Sequence, residues 1–387
     1  MRGRVYRKRR ADGSWSRWYA VIDVPPGPDG RRRQKTTTHD TRAGAQEWLA
    51  RTAAATSVEN AARAAGDVPV AEYLAGWLAG KAGLRPSSRR TYAQHVERYL
   101  VPALGQRWLS QLRPEHIEAM YAPLLAAGRP GPATLRRVHA TLAAALASAV
   151  RRHLIAGNPA EEVELPPAPR VETPVWTPAQ ARRFLAATRD DAWFALYWVL
   201  LLLGLRRGEA LGLRWCDLDL DAGVLRVVQQ RVQVGSQVLV GPPKSAAGRR
   251  TLPLDPETVG VLRAHRAAQH ADRLRAGPAW GETGLVFTTP LGAPLRPAAV
   301  SRRFPRLCQQ AGVPVIRLHD LRHTSASLGL AAGASLKEVS VRLGHSDIAV
   351  TANLYAHVVP PLSRASADRL AALLTSPSVP AGGAASA

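Results

Sequence analysis

At 387 residues and 46% hydrophobic content the chain has room for two or three domains, each with its own core, and its 52 Lys and Arg against 29 Asp and Glu leave a net charge of +23. That charge implies a polyanionic partner, either nucleic acid or an acidic membrane surface. Two cysteines far apart, Cys216 and Cys308, with no CxxC pair, argue against a disulfide framework and a cysteine zinc site.

The N-terminus, MRGRVYRKRR, lacks the apolar stretch of a signal peptide. The longest apolar run, Ala192 to Leu205, is 14 residues, too short to span a bilayer and better suited to a buried helix. A soluble, intracellular protein with no membrane contact is expected. Only five of the basic residues are lysines: Lys8, Lys35, Lys81, Lys244 and Lys337. Arginine dominance suits bidentate phosphate contacts, and it equally suits a GC-rich genome.

In chain order, residues 1–55 read as three short strands and a helix. Arg4–Arg9, Trp18–Val24 and Arg31–Thr37 are separated by turn-forming Asp, Gly and Pro clusters. Thr41 is placed to N-cap a helix carrying Ala45, Trp48 and Leu49. The segment holds 13 basic and 5 acidic residues, a net +8. Arg7, Lys8, Arg9, Arg10, Arg31, Arg32, Arg33 and Lys35 are its candidate DNA contacts; the alternative is a merely solvated basic hairpin.

An Ala-rich connector, 56–67, leads to a helical stretch over 68–162. Val70, Tyr73, Leu74 and Trp77 recur at helical spacing, as do Tyr92, His95, Val96 and Tyr99. Ile117, Met120, Tyr121 and Leu124 follow, then Leu135, Val138, Leu142 and Ala145, separated from the third group by Gly128-Arg-Pro-Gly-Pro132. Four such helices make a small bundle, with the aromatics in its core. A proline-marked linker from Leu165 to Pro174 then separates domains.

The remainder, 175–375, mixes helices with a few strands. Thr177-Pro178 opens a helix. Val224–Val234, Gln237–Val240 and Arg250–Leu254 alternate well enough for one small antiparallel sheet. Residues 376–387, rich in Pro, Ala, Gly and Ser, are expected to be a disordered tail.

Several residues in this last stretch can carry chemistry. Gly204 interrupts the apolar helix just before Arg206, and Glu209, three residues on, shares a helical face with that arginine. Lys244 is expected at a hairpin tip between two strands. His319-Asp-Leu-Arg322 sets an imidazole and a guanidinium on one helix face. His323 makes an i,i+4 histidine pair with His319, but the motif lacks the glutamate of a zinc protease helix and no third ligand is evident, so no metal is expected. Leu343-Gly-His-Ser-Asp347 reads as a helix end at Gly344 followed by His345, and Tyr355 falls on a short helix downstream.

In joint order and spacing, Arg206, Lys244, His319, Arg322, His345 and Tyr355 resemble the tyrosine recombinase (phage integrase) family. The pattern G-x-R-x-x-E, β-hairpin lysine, H-x-x-R, L-G-H and downstream tyrosine is matched at every element over 175–375. One departure is Leu203, where many relatives carry threonine. Residues 68–162 resemble that family's helical, SAM-like core-binding domain, and 1–55 its arm-type DNA-binding module.

The resemblance implies a mainly α multidomain protein with small β-sheets, ending in a mixed α+β catalytic domain. It implies Tyr355 as nucleophile, forming a 3′-phosphotyrosyl ester and a free 5′-hydroxyl. Arg206 and Arg322 would clamp the phosphate, His319 and His345 would assist, Lys244 would be general acid, and Glu209 would orient its neighbours. No metal, ATP or other cofactor would be needed. Implied partners are double-stranded DNA at core and arm sites, a homotetramer assembled on DNA, a DNA-bending host factor and a directionality factor. The expected function is site-specific integration or excision of a mobile element. A resolvase of the same family, a type IB topoisomerase and a non-catalytic DNA-binding regulator are the alternatives. The segment after Tyr355, with Leu362, Leu370, Leu373 and Leu374, is a candidate helix for docking onto a neighbouring protomer.

Overall fold

The computed structural model describes residues 3–9, 14–24, 33–64, 66–167, 174–348, 352, 368 and 371. The chain divides into two compact units, residues 1–170 and 171–387.

In the first unit, β2 (Trp18–Val24) is the centre of an antiparallel sheet between β1 (Gly3–Tyr6) and β3 (Arg33–His39). Its Ala20, Val21 and Ile22 are buried, together with Ala45 of α1 (Arg42–Ala64). Thr41 caps α1 as expected, its Oγ1 accepting from the Gly44 N–H at 3.1 Å. The helix differs from expectation at its far end: it runs through the expected connector to Ala64. Residues 56–64 contain neither Gly nor Pro, and alanine propagates a helix until Gly66, which takes φ +77°.

The helical region holds α2 (Val70–Ala79), α3 (Pro86–His95), α4 (Val101–Leu104), α5 (Pro114–Ala126) and α6 (Pro132–Arg151). A π-type turn, Val96–Leu100, carries α3 into α4. Every periodic group named above contributes to one core, which includes Leu74, Trp77, Leu100, Ile117, Met120 and Leu142. The aromatics belong to it: Tyr73 donates to the Ala145 carbonyl at 2.7 Å, and Trp77 stacks on Tyr92.

The second unit opens with α7 (Pro178–Ala187), where Thr177 Oγ1 accepts from the Gln180 N–H. The apolar run becomes α8 (Phe194–Leu202), buried along nearly its whole length. After the single turn of α9 (Arg207–Ala210) come β4 (Leu218–Asp219), β5 (Val224–Val227), β6 (Gln230–Val234), β7 (Gln237–Gly241) and β8 (Arg250–Pro253). Helices α10 (Pro256–Ala276), α11 (Pro297–Gln310), α12 (Asp320–Ala331) and α13 (Leu336–Leu343) complete the described part.

The single sheet expected here is two. β4, β5 and β8 form one, and β6 and β7 form a separate hairpin. The strand expected over Val224–Val234 breaks between Val227 and Gln230 because β6 lies against α9. A Cβ on Gly208 would come within 2.7 Å of the Arg231 carbonyl oxygen. The Gln229 side chain turns to donate to the Gly212 carbonyl at 2.8 Å. Lys244 therefore does not sit at a hairpin tip; it lies in the crossing from the hairpin to the other sheet. Tyr355, the leucines expected to follow it on a docking helix and the tail from 376 lie outside the described residues, as do 168–173 of the linker.

Candidate active site

The site is built on the C-terminal end of α13. Ser335 caps the start of this helix, and Gly344 ends it in the left-handed conformation at φ +67°. Terminal carbonyls of a helix carry partial negative charge and lack helical partners. Here two arginines supply donors. Arg322 Nη2 donates to the Leu343 carbonyl at 2.6 Å, and Arg206 Nη2 donates to the Gly344 carbonyl at 3.2 Å.

Arg206 is delivered by the turn after α8. Gly204 adopts φ +63°, its carbonyl accepts from Arg322 Nη1 at 2.7 Å, and a Cβ there would meet Leu343 Cδ2 at 2.5 Å. Only glycine admits that close approach together with that conformation. Arg206 then becomes the N-cap of α9 and pairs with Glu209, Nη1 to Oε1 at 2.7 Å. The second carboxylate oxygen accepts from the Arg206 N–H and from Arg250 Nη2, both at 3.0 Å. Glu209 is fully buried. Burial pushes its pKa up, but the charge and hydrogen bond of Arg250, followed by those of Arg206, outweigh it and hold the group below its ordinary value. Glu209 is therefore a carboxylate clamped by two guanidiniums.

His319 stands at the start of α12, its ring edge-on to His323 at 5.5 Å. Its pKa is pushed down to about 4, by burial first and then by the charges of His323 and Arg322. His345, half-buried beyond Gly344, is likewise pushed down to about 4 by burial and by Arg322 and Arg206. Both imidazoles are thus neutral at pH 7, each able to donate one proton and accept another. His319 and Arg206 share a cleft of about 700 Å³ with Arg207, Arg231 and Ile316. Among the described residues, no group of three His, Cys, Asp or Glu side chains is placed to hold a metal ion.

Arg206, Glu209, His319, Arg322 and His345 therefore come together from three separate segments. Lys244 is exposed, in a connection that touches the same place: a Cβ on Gly344 would meet the Ala247 carbonyl oxygen at 2.8 Å. Tyr355 lies outside the described residues. Arg250, whose side chain is 5% exposed, was not among the residues expected in the site. Its signal in the sequence was a charge two residues before Leu252 on the inward face of β8, which burial of Leu252 and Val227 defines.

Of the basic residues of the N-terminal module, Arg7, Lys8, Arg9 and Lys35 are exposed. Arg7 lies over Trp18 at 5.1 Å and Lys8 over Tyr19 at 5.3 Å. Arg33 opens β3 opposite Val24. Arg10, Arg31 and Arg32 lie outside the described residues.

No helix among the described residues is long and apolar enough to cross a membrane. The family model for the phage integrase family matches residues 175–360. The integrase of Mycobacterium phage L5 is 30% identical over 329 residues, which cover 82% of this chain and 85% of that one. Among solved structures, the Tn1549 transposon integrase in complex with transposon right end DNA aligns with TM-score 0.66 at 22% identity. The alignment covers 79% of this chain and all of that one. A lambda integrase tetramer bound to a Holliday junction aligns with TM-score 0.58 at 16% identity, covering 88% of this chain and 95% of that one. Motif order, the site on α13 and these relatives agree: the chain belongs to the phage integrase family, as a site-specific DNA recombinase of the tyrosine recombinase type.

Proposed function

We propose that this recombinase cuts DNA by attack of the Tyr355 hydroxyl oxygen on a phosphodiester, with Arg206, Arg322, His319, His345 and Lys244 as the surrounding catalytic set. The observation that supports this most is the convergence of Arg206 and Arg322 on the α13 terminus, beside two neutral imidazoles. Two fixed guanidiniums can take the non-bridging oxygens of a phosphate and hold the charge that grows as the phosphorus becomes five-coordinate.

A free tyrosine has a pKa of about 10, so its proton must leave as the P–O bond forms. A neutral imidazole, His319 or His345, can accept that proton. The P–O5′ bond breaks as Lys244 delivers a proton to the departing 5′-oxygen. The products are a 3′-phosphotyrosyl ester and a 5′-hydroxyl. Attack by a 5′-hydroxyl from a partner duplex reverses these bond changes, so neither ATP nor a metal ion enters the balance. Glu209 touches no reacting atom in this scheme; it holds Arg206 in place.

The partner is double-stranded DNA. Solved relatives include a DNA complex of a transposon integrase and a lambda tetramer on a Holliday junction. By analogy this chain would assemble as four copies on two duplexes, with a DNA-bending host factor and a directionality factor acting in trans. In the same reading, the N-terminal module takes arm-type sites, the helical bundle over 68–162 and the catalytic domain over 175–375 grip the core site, and the protein works on the nucleoid in the cytoplasm.

A nicked substrate that loses a short strand on cleavage traps the ester. Wild type is expected to give a denaturation-resistant protein–DNA adduct without magnesium, and Tyr355→Phe to bind the same DNA and give none. An adduct from Tyr355→Phe would remove Tyr355 as the nucleophile. Arg206→Ala is expected to slow adduct formation by about 10²–10³-fold.

A further inference from the structure

We infer that Arg250 is a positioning residue that locks the Lys244 segment to the phosphate-binding arginines. It deepens the catalytic reading above and rests on it. The guanidinium reaches two distant segments and bonds back to the turn that precedes its own strand. Nη2 meets the Glu209 carboxylate at 3.0 Å, Nε donates to the Arg342 carbonyl at 2.6 Å, and Nη1 donates to the Gly248 carbonyl at 3.0 Å. The side chain is almost wholly buried, so each contact is made with little water to compete.

Each of those segments carries a candidate catalytic group. Glu209 holds Arg206. Arg342 lies in the last turn of α13, immediately before the carbonyls that engage Arg322 and Arg206, and before His345. Gly248 closes the short turn Ala246–Gly248 that follows Lys244. That turn is compact: Pro243 is buried, and a Cβ on Gly248 would meet Pro243 Cβ at 2.6 Å. Lys244 is exposed, and among the described residues no side chain bonds to it, so its position follows from where Pro243 and Gly248 are anchored. Arg250 supplies the anchor at Gly248.

A planar guanidinium reaches three acceptors in different directions, whereas an ammonium on a flexible stem cannot span all three. Arg250→Lys keeps the buried charge next to Glu209 but is expected to release Gly248 or Arg342. The defect should then fall on protonation of the leaving group, more than on DNA binding.

The test uses the full chain with the nicked substrate in two forms, one natural and one with sulfur replacing the bridging 5′-oxygen. A thiolate leaves without needing a proton, so the second form bypasses the general acid. Arg250→Lys and Arg250→Met are expected to lose about 100-fold in the rate of adduct formation on the oxygen substrate, the scale of a misplaced catalytic group. Their dissociation constants for DNA should stay within about threefold of wild type, since Arg250 is buried away from solvent-facing phosphate contacts. On the sulfur substrate the loss should shrink to about tenfold or less, as it should for Lys244→Met.

Wild-type rates for Arg250→Lys on the oxygen substrate would overturn the inference. So would an equal loss on both substrates, which marks a purely structural role. If Arg250→Met proves unfolded by its melting curve, Arg250→Lys decides alone. Tyr355→Phe run in parallel separates the two readings: an adduct from that variant removes the catalytic scheme itself, while its absence beside normal Arg250 variants removes only the positioning role.

Discussion

Three charges share one buried place around Glu209: a carboxylate and the guanidiniums of Arg206 and Arg250. Removing the carboxylate charge leaves the buried Arg250 and the half-buried Arg206 without their shared anion. Glu209→Gln is therefore expected to lower stability by about 3–5 kcal/mol, the cost of breaking a buried pair from one side. A lower urea midpoint with unchanged slope would show it. The histidines add a pH dependence. Their folded pKa values of about 4 lie below the ordinary 6.5, so on acidification the unfolded chain takes up protons that the folded chain refuses. The stability they allow is complete above pH 6.5 and is lost as pH falls toward 4. Thermal melts across that window should show a falling midpoint, and His345→Gln should flatten the fall. The pairing of Arg206 with Glu209 could be read from their spacing. Arg250 could not, because a charge on an inward strand face says nothing about which carboxylate it will meet.

Glycine decides the geometry of the turn that delivers Arg206. Gly204→Ala must adopt a left-handed conformation costing roughly 1–2 kcal/mol, and must also displace Leu343 from 2.5 Å. It is expected to unfold more readily and to cleave more slowly, since Arg322 bonds to the same residue's carbonyl. Thr177→Ala, at a cap far from these groups, should cost about 1 kcal/mol and leave the cleavage rate unchanged. Most elements were legible for the same local reasons. Thr41 and Thr177 announced their helices, Gly344 announced the end of α13, and the four periodic groups announced the bundle. Two local readings differ from the structure. The break between β5 and β6 comes from packing on Gly208 and Gly212, a long-range contact that alternation does not encode. The extension of α1 to Ala64 was hidden because an Ala-rich stretch reads equally as linker or helix.

The net charge of +23 sets the behaviour of the whole molecule on DNA. Raising salt from about 50 to 200 mM should weaken binding by on the order of 10³-fold or more if six or more phosphates are contacted. Because α1 continues to Ala64, a truncation at residue 55 would cut through a helix; removal of residues 1–66 respects the structure better. That shortened chain is expected to keep adduct formation on core-site DNA and to lose binding to arm-type DNA. Footprinting on both kinds of site would check it. The recombinase fold and family were legible because motif order survives where overall identity is low.

In the proposed scheme one tyrosine joins DNA through its 3′ end. The direct measurement is to digest the trapped adduct with protease and nuclease and to identify the modified peptide by mass spectrometry. Expected are a nucleotide 3′-phosphate on Tyr355, within the peptide around Thr351–His357, and a released strand whose 5′ end accepts phosphate from a kinase without prior dephosphorylation. Attachment at any other residue, or a 5′-phosphate on the released strand, would contradict it.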